Sequence, residues 1–238
     1  MTTAALDFTK PETISAVIGS GDTVILISSD AVGQRFPQHS AVVDAAVGAG
    51  AARIIYTSAP AATTSELILA PEHKATEEYI AASGLPATIL RNGWYTENYA
   101  GQIATGRDTG EITASVGDGR VASASRSDYA EAAAAAALDE ATTGKTYELS
   151  GDDAWNFDEL AAAVSGIVGK PVTYRALTPE EHAAQLTAAG LDEGMVGFVV
   201  GLDGNIRDGL LAGTSGDLAT LIGHPTVPLA EGLAATQA

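Results

Sequence analysis

Apolar residues along the chain fall into short blocks separated by polar or glycine-rich breaks, and the spacing inside each block predicts its structure. After a short polar start, Thr23-Val24-Ile25-Leu26-Ile27 is a β-branched run that ends in Ser28-Ser29-Asp30. It predicts a buried parallel strand running into a loop. From Gln38 to Val47 the residues Val42, Val43, Ala46 and Val47 recur at helical spacing, and Gly48-Ala49-Gly50 is a stop signal. Arg53 to Ser58 reads as a second strand, Pro71 to Ser83 as a helix with Pro in its first turn, and Ala87 to Arg91 as a third strand.

Strand and helix alternate in steps of about thirty residues, the signature of a parallel, doubly wound α/β sheet. Beyond Arg91 the pattern loosens. Loops are expected around Gly106 to Gly119, an alanine helix from Ser127 to Asp139, and a strand from Lys145 to Leu149 that extends the sheet. Asn156 with Glu159 three residues on forms a capping box for a helix reaching Val168, and Pro171 to Tyr174 reads as a further short strand. From Thr178 the chain reads as helical with glycine breaks at 190, 194, 197, 201 and 204. The expected organisation is a doubly wound α/β domain over residues 1–150 and a small, mostly helical subdomain over 151–238, interleaved into what is effectively one domain.

Composition narrows the function classes. The 238 residues are 46% hydrophobic and 18% charged, a globular balance. Twelve Lys and Arg against thirty Asp and Glu give a net charge of −18, which repels phosphate backbones and anionic lipid and argues against nucleic-acid and membrane partners. With no Cys there is no disulfide framework, thiol nucleophile or cysteine-based metal site. No apolar run approaches the ~20 residues of a membrane span, and a soluble, cytoplasmic protein is expected.

Sheets of this class bind ligands outside the carboxyl ends of their strands, and each strand here ends in polar residues. These are Ser28, Ser29 and Asp30 after the first, Thr57 and Ser58 after the second, and Asn92 through Asn98 after the third. The plainer alternative is that the hydroxyls cap the helices that follow. Trp94-Tyr95 points to a pocket wall, because two large aromatics in a loop are costly unless they pack. Trp94, Tyr95 and Asn98 are expected to line one concave site with Ser28 and Ser58.

Several familiar patterns are missing. No Gly-x-Gly-x-x-Gly or Gly-x-x-Gly-x-x-Gly turn precedes Val24 to hold a pyrophosphate. Gly144-Lys145-Thr146 matches the end of a phosphate loop, but position 139 is Asp where Gly is needed and a strand follows. No Ser sits in a Gly-x-Ser-x-Gly elbow, and His39, His73, His182 and His224 show no metal-ligand spacing. Glu72-His73 with Glu77 would place an acid beside an imidazole, although such a set ordinarily forms a solvated helix face. No Tyr is followed four residues later by Lys, so the proton-transfer pair of ordinary short-chain dehydrogenases is absent.

Val32-Gly33-Gln34-Arg35, Pro37-Gln38-His39, Tyr56-Thr57-Ser58, Leu90 through Tyr99, Gly117-Asp118-Gly119, Arg126 through Ala130, Tyr147-Glu148-Leu149 and Leu221 through Thr226 together carry a resemblance. The chain, from about Asp7 to its C-terminus, resembles the bacterial type 2 NAD(P)H:quinone oxidoreductases, atypical short-chain dehydrogenases of the NmrA-like group. The resemblance implies NADPH- or NADH-dependent reduction of a small-molecule quinone by direct hydride transfer. Solvent would supply protons, with no residue required as acid or base. It also implies that Ser28 and Ser29 contact the dinucleotide and that Tyr56, Thr57 and Ser58 lie near the nicotinamide. Gly93, Trp94, Tyr95, Thr96, Glu97 and Asn98 would wall the nicotinamide end, and Asn92, Arg126 and Tyr129 would belong to the substrate side of the pocket.

The departure from that pattern is at the front. Family members begin with a strand, a Gly-Ala-Thr-Gly-x-x-Gly loop and a second strand ending in the Arg that reads the ribose phosphate. This chain starts after them, roughly fifty residues late for such a fold, as a shortened gene product or misplaced start would. The expectations are weak cofactor binding and an exposed apolar edge from Val24 to Ile27. A non-catalytic redox-sensing regulator and an inactive truncated fragment are the competing readings, and the oligomeric state stays open.

Overall fold

In the computed structural model, residues 3–237 are described. Four parallel strands, β1 (Thr23–Leu26), β2 (Arg53–Ser58), β3 (Ala87–Asn92) and β5 (Thr146–Leu149), form one sheet in the order β1-β2-β3-β5. Helices α1 (Pro11–Ser15), α2 (Arg35–Ala49) and α3 (Ala70–Ser83) alternate with its first strands. After β3 come α4 (Gly101–Thr109), β4 (Glu111–Ala114) and α5 (Arg126–Leu138). Past β5 lie α6 (Phe157–Val168), β6 (Thr173–Ala176), α7 (Pro179–Ala188), α8 (Glu193–Arg207), α9 (Asp217–Ile222) and α10 (Leu229–Ala235). No helix among the described residues is long and apolar enough to cross a membrane.

Two compact units share these elements. The first comprises Met1–Ser65, Leu69–Asn92 and Ala130–Glu148, and the second Glu66–Ile68, Gly93–Tyr129 and Leu149–Ala238. In the first, the adjacent α2 residues Val42 and Val43 pack with the sheet residues Leu26, Ile54 and Tyr56, and Ile14 and Ile80 complete the core. Burying each such aliphatic side chain is worth about 1.5–3 kcal/mol. In the second, α6 starts at the expected capping box, with Glu159 N–H donating to Asn156 Oδ1 at 3.0 Å and Asn156 N–H to Glu159 Oε2 at 2.7 Å. Its buried face carries Leu160, Ala161 and Val164.

Four expectations need correction. β1 is an edge strand: Leu26 is buried, but Ile25 and Ile27 are 41% and 65% exposed, so the buried-strand reading fails there and the exposed apolar edge is what forms. A groove of about 1020 Å³ runs along it, lined by Phe8, Val17, Ile25 and Ile27 among others. The "polar start" contains α1, whose Ile14 is fully buried. Residues expected as loops around Gly106 hold α4 and β4, and β4 pairs with β6 in a separate two-stranded parallel sheet. α8 runs unbroken through Gly194, Gly197, Gly201 and Gly204, and of the expected breaks only Gly190, at φ +91°, lies between helices.

The glycines misled for a physical reason. A Cβ on Gly106 would stand 2.7 Å from Val164 Cγ1, so its absence is what lets α4 lie against α6. That is a packing requirement inside a helix, which local spacing does not distinguish from a break.

Candidate active site

In the first unit, the loop leaving β1 is held mainly by its backbone. Ser28 N–H donates to Thr57 Oγ1 at 2.8 Å, and Ser29 N–H donates to His39 Nε2 at 3.1 Å. Arg35 Nε donates to the Ser29 carbonyl at 2.7 Å. Further along, the Glu72 carboxylate accepts from Gly33 N–H and Arg35 N–H, each at 2.9 Å, satisfying amides at the start of α2. The Ser29 hydroxyl, by contrast, is buried with no protein partner, and so is Arg35 Nη1.

Beneath this loop lies a buried polar cluster. Tyr56, His39, His73 and Thr76 are all nearly inaccessible to solvent. The Ser29 amide can only donate, so His39 Nε2 accepts and the neutral ring carries its proton on Nδ1, 3.0 Å from Thr76 Oγ1. Thr76 Oγ1 donates onward to the Glu72 carbonyl at 2.8 Å. With His39 Nδ1 protonated, the Tyr56 hydroxyl proton goes to His73 Nδ1 at 2.8 Å, leaving His73 protonated on Nε2. These tautomers follow from the hydrogen-bond network. Burial, helped by the Arg35 charge, pushes His39 down to about 4 and His73 to about 3, and burial raises the Tyr56 phenol. All three are neutral near pH 7. The set Glu72, His73 and Glu77 is therefore not a solvated helix face: His73 and Glu77 are buried.

Ser58 donates its hydroxyl to Glu77 Oε1 at 2.5 Å, and Arg91 clasps the same carboxylate through Nε at 3.0 Å and Nη2 at 2.7 Å. Arg91 Nη1 also meets Glu148 Oε1 at 2.8 Å, and Glu148 Oε2 accepts from Ala61 N–H at 3.0 Å. These pairings, first among them the hydrogen bond to Glu77, hold the Arg91 guanidinium above its ordinary range. Ala61 has φ +45°, a left-handed conformation that a non-glycine residue keeps only when its surroundings impose it. Asn92 Oδ1, at the end of β3, is buried without a partner.

In the second unit, Gly93 N–H donates to the Leu149 carbonyl at 2.7 Å, and a Cβ on Gly93 would meet that oxygen and Tyr129 OH at 3.0 Å. Only glycine fits there without displacement. Tyr95 packs edge-on against Tyr129 at 5.3 Å, and the Arg126 guanidinium lies 5.1 Å from the Tyr95 ring centroid. Burial raises the Tyr129 phenol. Glu97 Oε1 accepts from Arg126 N–H at 2.9 Å, while Glu97 Oε2 is buried without a partner. Thr96 is fully buried, its hydroxyl 2.8 Å from Ser123 Oγ, which also accepts from Trp155 Nε1 at 2.9 Å. Trp94 is half-buried and Asn98 exposed.

Within each unit the expected residues thus sort by what their polar atoms already do. Tyr56, Thr57 and Ser58 spend their hydroxyls internally, as does Thr96, whereas Ser29, Asn92 and Glu97 keep a buried oxygen unbound by protein. Sequence reasoning missed His39 and Arg91 as organising residues and left Glu77 on a solvated helix face. Its one available signal was His39 at i, i+3, i+4 spacing with Val42 and Val43, a histidine on an apolar face. The second unit also holds Ser115, His182 and Asp203, all buried, but Ser115 Oγ and Asp203 Oδ2 approach the same His182 Nδ1, at 3.4 and 2.8 Å. A nucleophilic relay needs them on opposite ring nitrogens.

Comparison with known proteins adds lineage to this geometry. Residues 2–201 match the NmrA-like family. Quinone oxidoreductase 2 of Escherichia coli (strain K12) is 42% identical over 97% of this chain and 81% of its own length. The crystal structure of the NADPH-dependent quinone oxidoreductase of that species complexed with NADPH superposes with a TM-score of 0.94 at 41% identity, covering 100% of this chain and 84% of that one. The triphenylmethane reductase of a Citrobacter species, complexed with NADP(H), gives 0.90 at 33% identity, over 97% of this chain and 82% of that one.

Proposed function

The chain belongs to the NmrA-like family, and from that membership we propose that it reduces quinones by hydride transfer from a nicotinamide cofactor, NADPH. The observation that carries the reading is the 42% identity to a quinone oxidoreductase across nearly the whole chain. The strand ends of the first unit support it. Ser29 Oγ and Asn92 Oδ1 are buried oxygens without protein partners at the carboxyl ends of β1 and β3, where parallel sheets bind ligands, and such atoms suit a polar ligand.

When bound, the cofactor supplies the hydride, and one proton from solvent completes the hydroquinone. The chain's own contribution is positioning. Ser28 and Ser29 offer dinucleotide contacts from a loop whose backbone Thr57, His39 and Arg35 hold still. Asn92 offers a contact from the end of β3. In the second unit Gly93 to Asn98, with Arg126 and Tyr129, carry the expectation of nicotinamide-side and substrate-side contacts. No acid is assigned, since the Tyr56 hydroxyl is sealed from solvent and committed to His73. A quinone accepts hydride readily, so correct placement supplies most of the rate.

The regulatory alternative has no separate observation in its favour. The test is NADPH oxidation in the presence of a simple benzoquinone, followed by loss of nicotinamide absorbance. Quinone-dependent oxidation is expected; none with either NADPH or NADH, at cofactor concentrations up to several millimolar, would overturn the reading.

A further inference from the structure

The buried cluster under the β1 loop is not needed to build the core, where apolar residues of the same size would pack without hydrogen bonds to satisfy. Three of its features point outward. His39 is the side chain that takes the Ser29 amide, at 3.1 Å. Its ring is oriented from behind by Thr76 at 3.0 Å, and Thr76 is anchored on the Glu72 carbonyl. The residue it holds, Ser29, is one whose hydroxyl has no protein partner. From this arrangement we propose that His39 is a positioning residue: its imidazole fixes the Ser29 backbone so that the Ser29 hydroxyl faces the bound dinucleotide. The proposal rests on the function assigned above, and the role belongs to His39 acting through Ser29, with no contact of its own to cofactor or substrate.

The chemistry requires a histidine that stays neutral, because a protonated ring has no lone pair on Nε2 to accept from an amide. The groups facing it act together to that end. On α2, Arg35 places a positive charge beside the ring; on β2, Tyr56 OH stands 3.3 Å from Nδ1; on α3 lie Thr76, Glu72, His73 and Glu77. Burial and Arg35 lower the ring's proton affinity, and Glu72 opposes them more weakly. Glu72 is itself turned to Gly33 and Arg35 N–H, so the carboxylate closest in chemistry to a proton acceptor is occupied with the same loop.

The test compares the wild-type chain with His39→Gln, whose side-chain carbonyl can still accept from Ser29, and His39→Phe, which cannot. Amide hydrogen exchange reads the Ser29 N–H directly, with Ile54 N–H and Ile89 N–H, bonded to Pro86 and Lys145 carbonyls, as sheet controls. Expected are a protected Ser29 amide in the wild type, partial protection in His39→Gln, and at least tenfold faster exchange in His39→Phe with the sheet controls unchanged. Imidazole nitrogen shifts should show His39 unprotonated on Nε2 at neutral pH. NADPH titration should give a dissociation constant about tenfold weaker in His39→Phe than in the wild type, and an intermediate one in His39→Gln. A Ser29 amide as protected in His39→Phe as in the wild type, or a proton on Nε2, overturns the proposal. So does a released Ser29 with unchanged NADPH affinity, which leaves the function reading intact. NADPH binding absent from all three proteins, at concentrations up to several millimolar, overturns the function reading and with it the role of the loop, while the exchange data still decide whether His39 holds Ser29.

Discussion

The resemblance implies that Tyr56 lies near the nicotinamide, and the structure commits its hydroxyl to His73 Nδ1 at 2.8 Å, with His39 Nδ1 at 3.3 Å. Replacing it by Phe leaves the ring packing intact and strands the His73 Nδ1 acceptor. Tyr56→Phe is therefore expected to cost ~1–3 kcal/mol of stability in denaturant unfolding, the cost of one buried unsatisfied group. Quinone reductase turnover should fall far less than the ~10²–10⁴-fold expected on losing a general acid. The histidines give a second outcome. Each has a folded proton affinity below its unfolded value, His39 at about 4 and His73 at about 3, so near pH 7 both states are neutral there and stability is unaffected. As pH falls below the unfolded value of about 6.5, the unfolded chain takes up protons that the folded chain refuses, and stability declines by up to ~1.4 kcal/mol per pH unit for each histidine. Urea unfolding between pH 7.5 and pH 4.5 measures this, and the His39→Gln variant should show a shallower decline.

At the scale of elements, the informative case is α4 against α6. Ala exceeds Gly in helix propensity by ~1 kcal/mol, so Gly106→Ala would stabilise an isolated helix. In place, the added methyl would lie 2.7 Å from Val164 Cγ1 and 3.2 Å from both Val172 methyls. Overpacking of that kind costs ~1–3 kcal/mol, so the balance is expected to fall on the destabilising side, read as a lower thermal midpoint for Gly106→Ala. The same substitution at Gly166, within α6 but with nothing within 4 Å of where the added methyl would stand, should raise it. Cap chemistry was more legible than glycine. The Asn156 box lies where spacing put it, and Thr178 with Glu181 forms a second one, Glu181 N–H to Thr178 Oγ1 at 3.2 Å, with Thr-x-x-Glu in place of Asn-x-x-Glu.

For the whole molecule, the decisive quantity is cofactor affinity. The 238 residues contain no glycine-rich turn of the kind that holds a pyrophosphate by its backbone amides. Two or three such bonds to a charged group, each worth ~1.5–3 kcal/mol, would together supply ~4 kcal/mol or more. Since 1.4 kcal/mol is tenfold, a site that would be micromolar with them is roughly millimolar without them. Titration of the chain with NADPH, followed by nicotinamide fluorescence, is expected to give a dissociation constant in that weak range. A low-micromolar value would mean that the cofactor is held by other residues.

The parallel sheet, its first three strands and the polar strand ends could be read from the sequence, because β-branched runs, helical spacing and cap residues are local signals, whereas the strand order came from the structure. Arg53 to Ser58 matched β2 residue for residue, and the family resemblance rested on eight short segments taken together, with Arg91 to Tyr99 the most specific of them. The rest depends on neighbours far apart in the chain. Glycines 106 and 201 look like breaks until Val164 and Ile68 are seen against them. Ser58, Thr57 and Tyr56 look like free ligands until Glu77, Ser28 and His73 take their hydroxyls, and Ser29 and Asn92 emerge as unbound only by that subtraction. Residue type and spacing specify which groups can form hydrogen bonds; which of them remain available for a ligand is settled by packing, since each buried donor and acceptor is satisfied first by whatever the fold brings within reach.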